Sequence, residues 1–232
     1  MKKPPKKKLT KAERDHRFYM HAHRVLAGMF RALLTLRPRG REKVPATGGY
    51  LICANHVAFC DVISVAAVLP RQVRFLAKAE LFRIPILGRL INALGACRLD
   101  RGGGDVAAIK KTISLAAGGE LVAIFPQGHR YGGQNPADTP IKNGAGMIAL
   151  RAGCPVIPVC LRMKKQRYAL FRRVEVIFGD PIPVEELTEE GLAGGEAYRV
   201  ASERIFARIC ALGGFLPSTP TGEEKQDART DS

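Results

Sequence analysis

From residue 50 onward the chain alternates between two kinds of apolar pattern, and that alternation restricts the fold more than any other feature. Short, near-continuous apolar runs fall at 50–53, 73–77, 96–99, 121–125, 156–161 and 174–178. Between and after them, apolar residues recur at three- and four-residue steps over 62–69, 81–94, 106–117, 144–152 and 184–212. A strand that is apolar on both faces must be covered on both faces, and intervening helices are the usual way of joining such strands in parallel. The expectation is an α/β fold: a single domain with a mixed, largely parallel sheet flanked by helices. In such sheets ligands gather beyond the carboxyl ends of the strands. Chemistry-bearing residues at those ends therefore carry most of the functional information.

Ahead of this core lies a different kind of segment. Phe18, Ala22, Val25, Leu26, Met29, Phe30, Leu33 and Leu34 mark one face of a helix over residues 13–36, which Pro38 and Gly40 would end. Arg14, Arg17, His21, Arg24 and Arg31 are spread over the rest of it. The whole chain holds 37 Lys+Arg against 21 Asp+Glu, a formal net charge of +16, and 13 of those basic residues with 2 of the acids fall within 1–41. Such a balance attracts polyanions: nucleic acid, an anionic lipid surface, or phosphorylated small molecules. The 10 Phe and 5 Tyr, with no Trp, are few for a base-stacking platform. The amphipathic pattern admits two readings, a helix packed on its own domain or one lying in a lipid interface. No apolar stretch reaches the roughly 20 residues needed to cross a bilayer, and no signal-peptide pattern follows the N-terminal lysines. The expected division is a basic arm and amphipathic helix over 1–41, a core over 42–216, and a polar, disordered tail over 217–232.

The six cysteines are scattered, without a CxxC pair, and most sit inside apolar runs. That reads as reduced, buried thiols in a reducing compartment rather than disulfides or zinc ligands. Three segments at strand ends hold more reactive chemistry. Asn55-His56-x4-Asp61 follows the first run. A carboxylate accepting from one imidazole nitrogen fixes the tautomer and leaves the other nitrogen as a base. The alternative is a loop histidine paired with a helix-capping aspartate. Arg98-Leu99-Asp100-Arg101 precedes Gly102-Gly103-Gly104 and a helical pattern. No GK[ST] follows, so a nucleotide P-loop is rejected, and Arg101 stands as a phosphate ligand or a solvated arginine. Phe125-Pro126-Gln127-Gly128-His129-Arg130 makes a tight turn that places Arg130, a side chain suited to bidentate phosphate binding, at the crevice.

In this order, and with Val156-Ile157-Pro158-Val159, these segments resemble the four blocks of the glycerolipid acyltransferase family, and within it the bacterial 1-acyl-glycerol-3-phosphate (lysophosphatidic acid) acyltransferases. Phe75-Leu76-Ala77-Lys78-Ala79-Glu80-Leu81-Phe82 and Phe178-Gly179-Asp180-Pro181-Ile182 are similar to the family as well. The resemblance implies transfer of an acyl group from a thioester, acyl-CoA or acyl carrier protein, to the sn-2 hydroxyl of a lysophospholipid, giving phosphatidic acid. It implies no resident cofactor and no metal. His56 would be the general base and Asp61 its orienting partner. Arg101 and Arg130 would grip the acceptor phosphate, and Gly128 would let the turn approach it. Lys78 would contact an anion or oxyanion, and Asn55 would shape the turn holding His56; with Gln127 they complete the expected substrate-binding set.

Three residues depart from the family pattern. Gln127 and His129 replace the Glu and Thr of the third block, and Ala58 stands where Ser is common. A missing carboxylate at 127 would make the pocket more positive and bear on the headgroup more than on the reaction, with His129 either a further phosphate donor or an ordinary loop residue. The implied partners are a lysophospholipid, an acyl-CoA or acidic acyl carrier protein, and an anionic membrane surface, not nucleic acid. The leader then reads as an interfacial helix, and the enzyme as peripheral on the cytoplasmic, inner face of the cell membrane. Arg162, Lys164, Lys165, Arg167, Arg172 and Arg173 would assist docking, meet the carrier protein, or simply be solvated. The competing readings are a different lysolipid acceptor, a non-catalytic basic binding module, and a metal hydrolase built on His56, Asp61 and His129.

Overall fold

The computed structural model describes residues 28, 31–69, 71–85, 88–89, 91, 95–99 and 104–218. The basic arm, most of the amphipathic segment, Arg101 and the polar tail beyond 218 lie outside the described residues. Strands β1 (Leu36–Arg39), β2 (Tyr50–Ala54), β3 (Arg74–Lys78), β4 (Cys97–Leu99), β5 (Leu121–Ile124), β6 (Val156–Met163) and β7 (Val174–Phe178) form one sheet in the order β1-β7-β6-β2-β5-β3-β4. Helices α1 (Cys60–Val68), α2 (Gly104–Ala117), α3 (Gly144–Ala152) and α4 (Gly194–Gly213) cover it. Every pairing is parallel except β6 with β7.

The sheet is apolar on both faces, as the continuous runs required. On one face Ile52, Ala54, Phe75, Leu121, Ile157, Val159 and Leu161 pack with α1. On the other, Leu51, Cys53, Val122, Val156 and Cys160 pack with residues of α3 and α4. Alternate residues of the same strand thus serve opposite cores, the two-residue period of a doubly covered strand. All six expected strands are present, with ends moved by no more than two residues.

Three differences from the sequence reading have local causes. The helix expected to run to residue 36 stops short of it: residues 31–34 are helical, Thr35 turns at φ 43, and Leu36 opens strand β1. Pro38 cannot continue a helix and has no ladder N–H, but an edge strand tolerates it, and β1 is the sheet's edge. The helical pattern at 184–212 splits into a 3-10 turn, Val184–Leu187, and α4. Gly191 and Gly194, at φ 85 and 57, supply the break. The pattern at 81–94 begins as a 3-10 turn over Ala79–Arg83, because the residue before Pro85 is biased away from α geometry. Among the described residues no helix is long and apolar enough to cross a membrane.

The single antiparallel pairing decides which elements meet. β2, β3, β4, β5 and β6 end at one edge of the sheet; β7 starts there, with Val174 opposite Met163. β1 runs with β7, Leu36 opposite Val174, so the leader enters the sheet at that same edge.

Two buried polar residues tie this arrangement together. Asn55, immediately after β2 and fully buried, donates Nδ2–H to the Leu161 carbonyl at 3.0 Å and accepts from Leu161 N–H at 2.7 Å. Its amide continues the β2–β6 ladder past the end of β2. It is therefore wall, not a substrate contact, which corrects its place in the expected binding set. Glu175 on β7 is buried and is approached by Arg162 at 2.7 Å, Arg173 at 2.6 Å and Arg39 at 2.9 Å. Burial works against its charge, but the hydrogen bond from Arg162 and the charges of Arg162, Arg173 and Arg39 hold its pKa below the ordinary value.

Replacing Asn55 by Ala leaves a buried N–H without its partner and is expected to destabilise the protein by about 1–3 kcal/mol in denaturant unfolding. Glu175→Gln is expected to lower Tm at pH 7. A carboxylate whose pKa is depressed by folding stabilises above its unfolded value, about 4.3, and that stabilisation is lost as pH falls through the folded value. The Tm gap between the two proteins should therefore close in acid, and a gap that widened there would refute the charge role.

Candidate active site

The turn between β2 and α1 wraps around one carboxylate. Asp61, in the first turn of α1 and fully buried, accepts through Oδ2 from Val57 N–H at 2.6 Å, Ala58 N–H at 2.8 Å and His56 Nδ1 at 2.6 Å. A carboxylate oxygen already receiving two backbone donors accepts from the imidazole too, so the proton sits on Nδ1. Nε2 is left with its lone pair. The four-residue gap in the motif is what lets the first helical turn fold back over the loop and place both side chains together.

His56 is held on every side. Phe125, at the end of β5, stacks on its ring with centroids 4.0 Å apart and planes 14° from parallel. Its carbonyl accepts from Tyr131 N–H at 2.8 Å. Its N–H donates to Gln127 Oε1 at 2.5 Å. Gln127 is itself buried, and its Nε2 donates to Thr139 Oγ1 at 2.6 Å, which donates on to the Pro136 carbonyl at 2.7 Å. This corrects the expectation for Gln127: the side chain lies beneath the histidine backbone, not against a ligand, so the Glu-to-Gln departure changes the support of His56 rather than a headgroup contact.

Behind the pair, Tyr168 donates its hydroxyl to Ser64 Oγ at 3.2 Å. Burial, with the neighbouring charge of Asp61, pushes its phenol pKa well up, so it stays a protonated donor. Asp61 Oδ1 is buried with no hydrogen-bond partner among the described residues. Cys60, between the two motif residues, has its thiol pKa raised by burial and by Asp61, the opposite of an activated nucleophile.

His56 opens onto a cavity of about 440 Å³ whose walls are mostly apolar, among them Phe59, Ile63, Leu76, Leu81 and Ile91. Gly128 and Arg130 line the same space. Gly128, at φ 69, makes the left-handed turn that a side chain would strain, and Arg130 then lies with its Cζ 5.8 Å from the centroid of the Phe59 ring. The expected base, its partner and one expected phosphate arginine are thus brought to one place. Lys78 is the last residue of β3, at the same sheet edge, while Arg101 lies outside the described residues. His129 is exposed in the turn. Among the described residues no three His, Cys, Asp or Glu side chains gather into a metal-binding group.

Phe59 and Phe125 are not among the expected site residues; Phe59 lies between His56 and Asp61 and Phe125 heads the third segment, and that adjacency is the one signal that points to them. Thr139 and Tyr168 come from distant segments, and nothing in their local spacing marks them.

Comparison with known proteins gives this geometry its context. Residues 35–162 match a family model described as Acyltransferase. The chain is 30% identical over 197 residues to the 1-acyl-sn-glycerol-3-phosphate acyltransferase of Bacillus subtilis, spanning 82% of this chain and 96% of that one. It is 31% identical over 173 residues to the Streptococcus pneumoniae protein of the same name, spanning 72% of this chain and 63% of that one. The crystal structure of the 1-acyl-sn-glycerophosphate acyltransferase from Thermotoga maritima superposes with a TM-score of 0.59 at 21% identity, over 88% of this chain and 81% of that one, a similarity of fold. More than half of the chain lies inside the family model, and the histidine–aspartate turn and its sheet edge lie within that span: the chain belongs to the Acyltransferase family.

Proposed function

We propose that the chain transfers a fatty acyl group from a thioester, acyl-CoA or acyl carrier protein, to the sn-2 hydroxyl of 1-acyl-glycerol-3-phosphate, giving phosphatidic acid. The observation that carries this reading is the half-buried His56 paired with the buried Asp61, 2.6 Å apart, opening onto a cavity that Arg130 also lines. An alcohol is a weak nucleophile at neutral pH, and Nε2 of His56 is positioned to take its proton as the oxygen attacks the thioester carbonyl. The imidazolium then forms 2.6 Å from the Asp61 carboxylate, which orients the ring and stabilises the new positive charge. Collapse of the tetrahedral intermediate breaks the carbon–sulfur bond, and the departing thiolate takes the proton back from Nε2. No enzyme nucleophile is required, in keeping with the raised Cys60 thiol.

The two ends of the acceptor and donor suit different parts of the site. The apolar wall of Phe59, Ile63, Leu76, Leu81 and Ile91 suits an acyl chain. Arg130, exposed at the mouth, suits a phosphate, with Arg101 proposed as its partner from the sequence. Relatives named as 1-acyl-sn-glycerol-3-phosphate acyltransferases support this acceptor. The same reading places the enzyme as a peripheral protein on the inner face of the membrane, its basic amphipathic leader against anionic lipid.

His56→Ala, assayed with labelled acyl-CoA and lysophosphatidic acid, is expected to lose about 10³-fold or more in kcat with little change in unfolding midpoint. Wild-type turnover in that variant would remove His56 as the base. Arg130→Ala is expected to raise KM for the phosphorylated acceptor about tenfold or more, and to leave KM for the acyl donor unchanged. An unaltered acceptor KM would refute the phosphate role.

A further inference from the structure

Residues 164–173, which join β6 to β7, carry a surface that acyl transfer itself does not use. Leu170 and Phe171 are adjacent, large and apolar, and are 65% and 76% exposed. Lys164, Lys165, Arg167, Arg172 and Arg173 surround them, all exposed, and the segment contains no acid. The nearby Arg162 and Arg173 share Glu175 with Arg39, so one buried carboxylate faces three guanidinium groups while the other four basic residues of the segment stand outside that cluster.

The connection is built rather than slack. Lys165, Gln166 and Phe171 take left-handed backbone angles, φ 55, 45 and 57, which side-chain-bearing residues seldom adopt and which gather at functional segments. Gln166 is buried; its Oε1 accepts from Met163 N–H at 3.1 Å and its carbonyl from Gly133 N–H at 2.8 Å. Tyr168 anchors the segment to Ser64 beside Asp61. Phe171 N–H donates to the Leu33 carbonyl at 2.8 Å, at the end of the leader. The segment is thus tied to Leu33, to α1 through Ser64 and to the loop after β5 through Gly133, on the sheet edge where the cavity opens.

We propose that residues 164–173 form a membrane-docking loop, with Leu170 and Phe171 entering the interface of a bilayer and the surrounding Lys and Arg facing its anionic headgroups. It deepens the function proposed above by naming the surface that meets the membrane holding the acceptor. A basic ring alone would also fit an acidic carrier protein. The apolar pair decides for lipid: it is set within the ring and hydrogen-bonded to a leader of the same apolar-and-basic composition, so one flat hydrophobic layer with an anionic surface matches both.

The chain has no Trp, so Phe171→Trp in the full-length protein makes the tip its sole indole, with Leu170→Trp as an independent second probe. With phosphatidylcholine–phosphatidylglycerol vesicles, emission is expected to shift to the blue and to be quenched by lipids brominated on their acyl chains. With phosphatidylcholine alone, the same shift should need about tenfold more lipid or more. Unshifted emission from both probes on anionic vesicles overturns the proposal, as does equal affinity for neutral and anionic vesicles. A shift produced by acyl carrier protein and not by vesicles overturns it in favour of a protein partner. The readout does not depend on turnover, so its failure is distinguishable from failure of the acyl-transfer reading.

Discussion

A strand buried on both faces has nowhere to place reactive side chains except at its ends, and this condition governs the molecule. Ile52 and Leu51 point into opposite cores, as do Ile157 and Val156. A charged or hydrogen-bonding group in the middle of β2 or β6 would have to be desolvated on whichever side it faced. The polar groups that matter therefore collect where the strands stop, and there main-chain groups hold them. Asn55 completes the ladder with Leu161, and Asp61 gathers two N–H groups of the turn it follows.

The result is a histidine with little freedom. Its backbone N–H and carbonyl are both taken, its ring is stacked on Phe125, and one ring nitrogen is committed to Asp61. A base so fixed does not have to find its tautomer or its rotamer when a substrate arrives, and its reorganisation during proton transfer is small. Supporting residues reach it from three stretches of chain: 55–61, the turn after β5, and the β6–β7 connection through Tyr168 beside Asp61. Long-range packing thus converts the six-residue motif His56–Asp61 into a rigid site.

The sequence made the strands, the covering helices and the His56–Asp61 pair legible because each rests on local pattern or short spacing. It misjudged what depends on context. The expected helix ends at residue 36, but an edge place beside β7 captures Leu36 once Thr35 turns the chain. Gln127 was expected at the ligand because of its block, yet a side chain at a tight turn can point to either side, and here it reaches back to the backbone of His56. Asn55 went the same way. Thr139 and Tyr168 had no local signature, since their parts depend on which segments the sheet brings together.

The reversal of β7 has a consequence for how the molecule is steered. Had β7 run parallel to its neighbour β6, β1 at its side would have started at the opposite rim, some strand length away from the reaction. Because one pairing is reversed, the entry of the chain into the sheet and the mouth of the cavity lie on one rim. The domain is thereby given a bow and a stern: any tether that holds its first strand also sets which way the histidine faces.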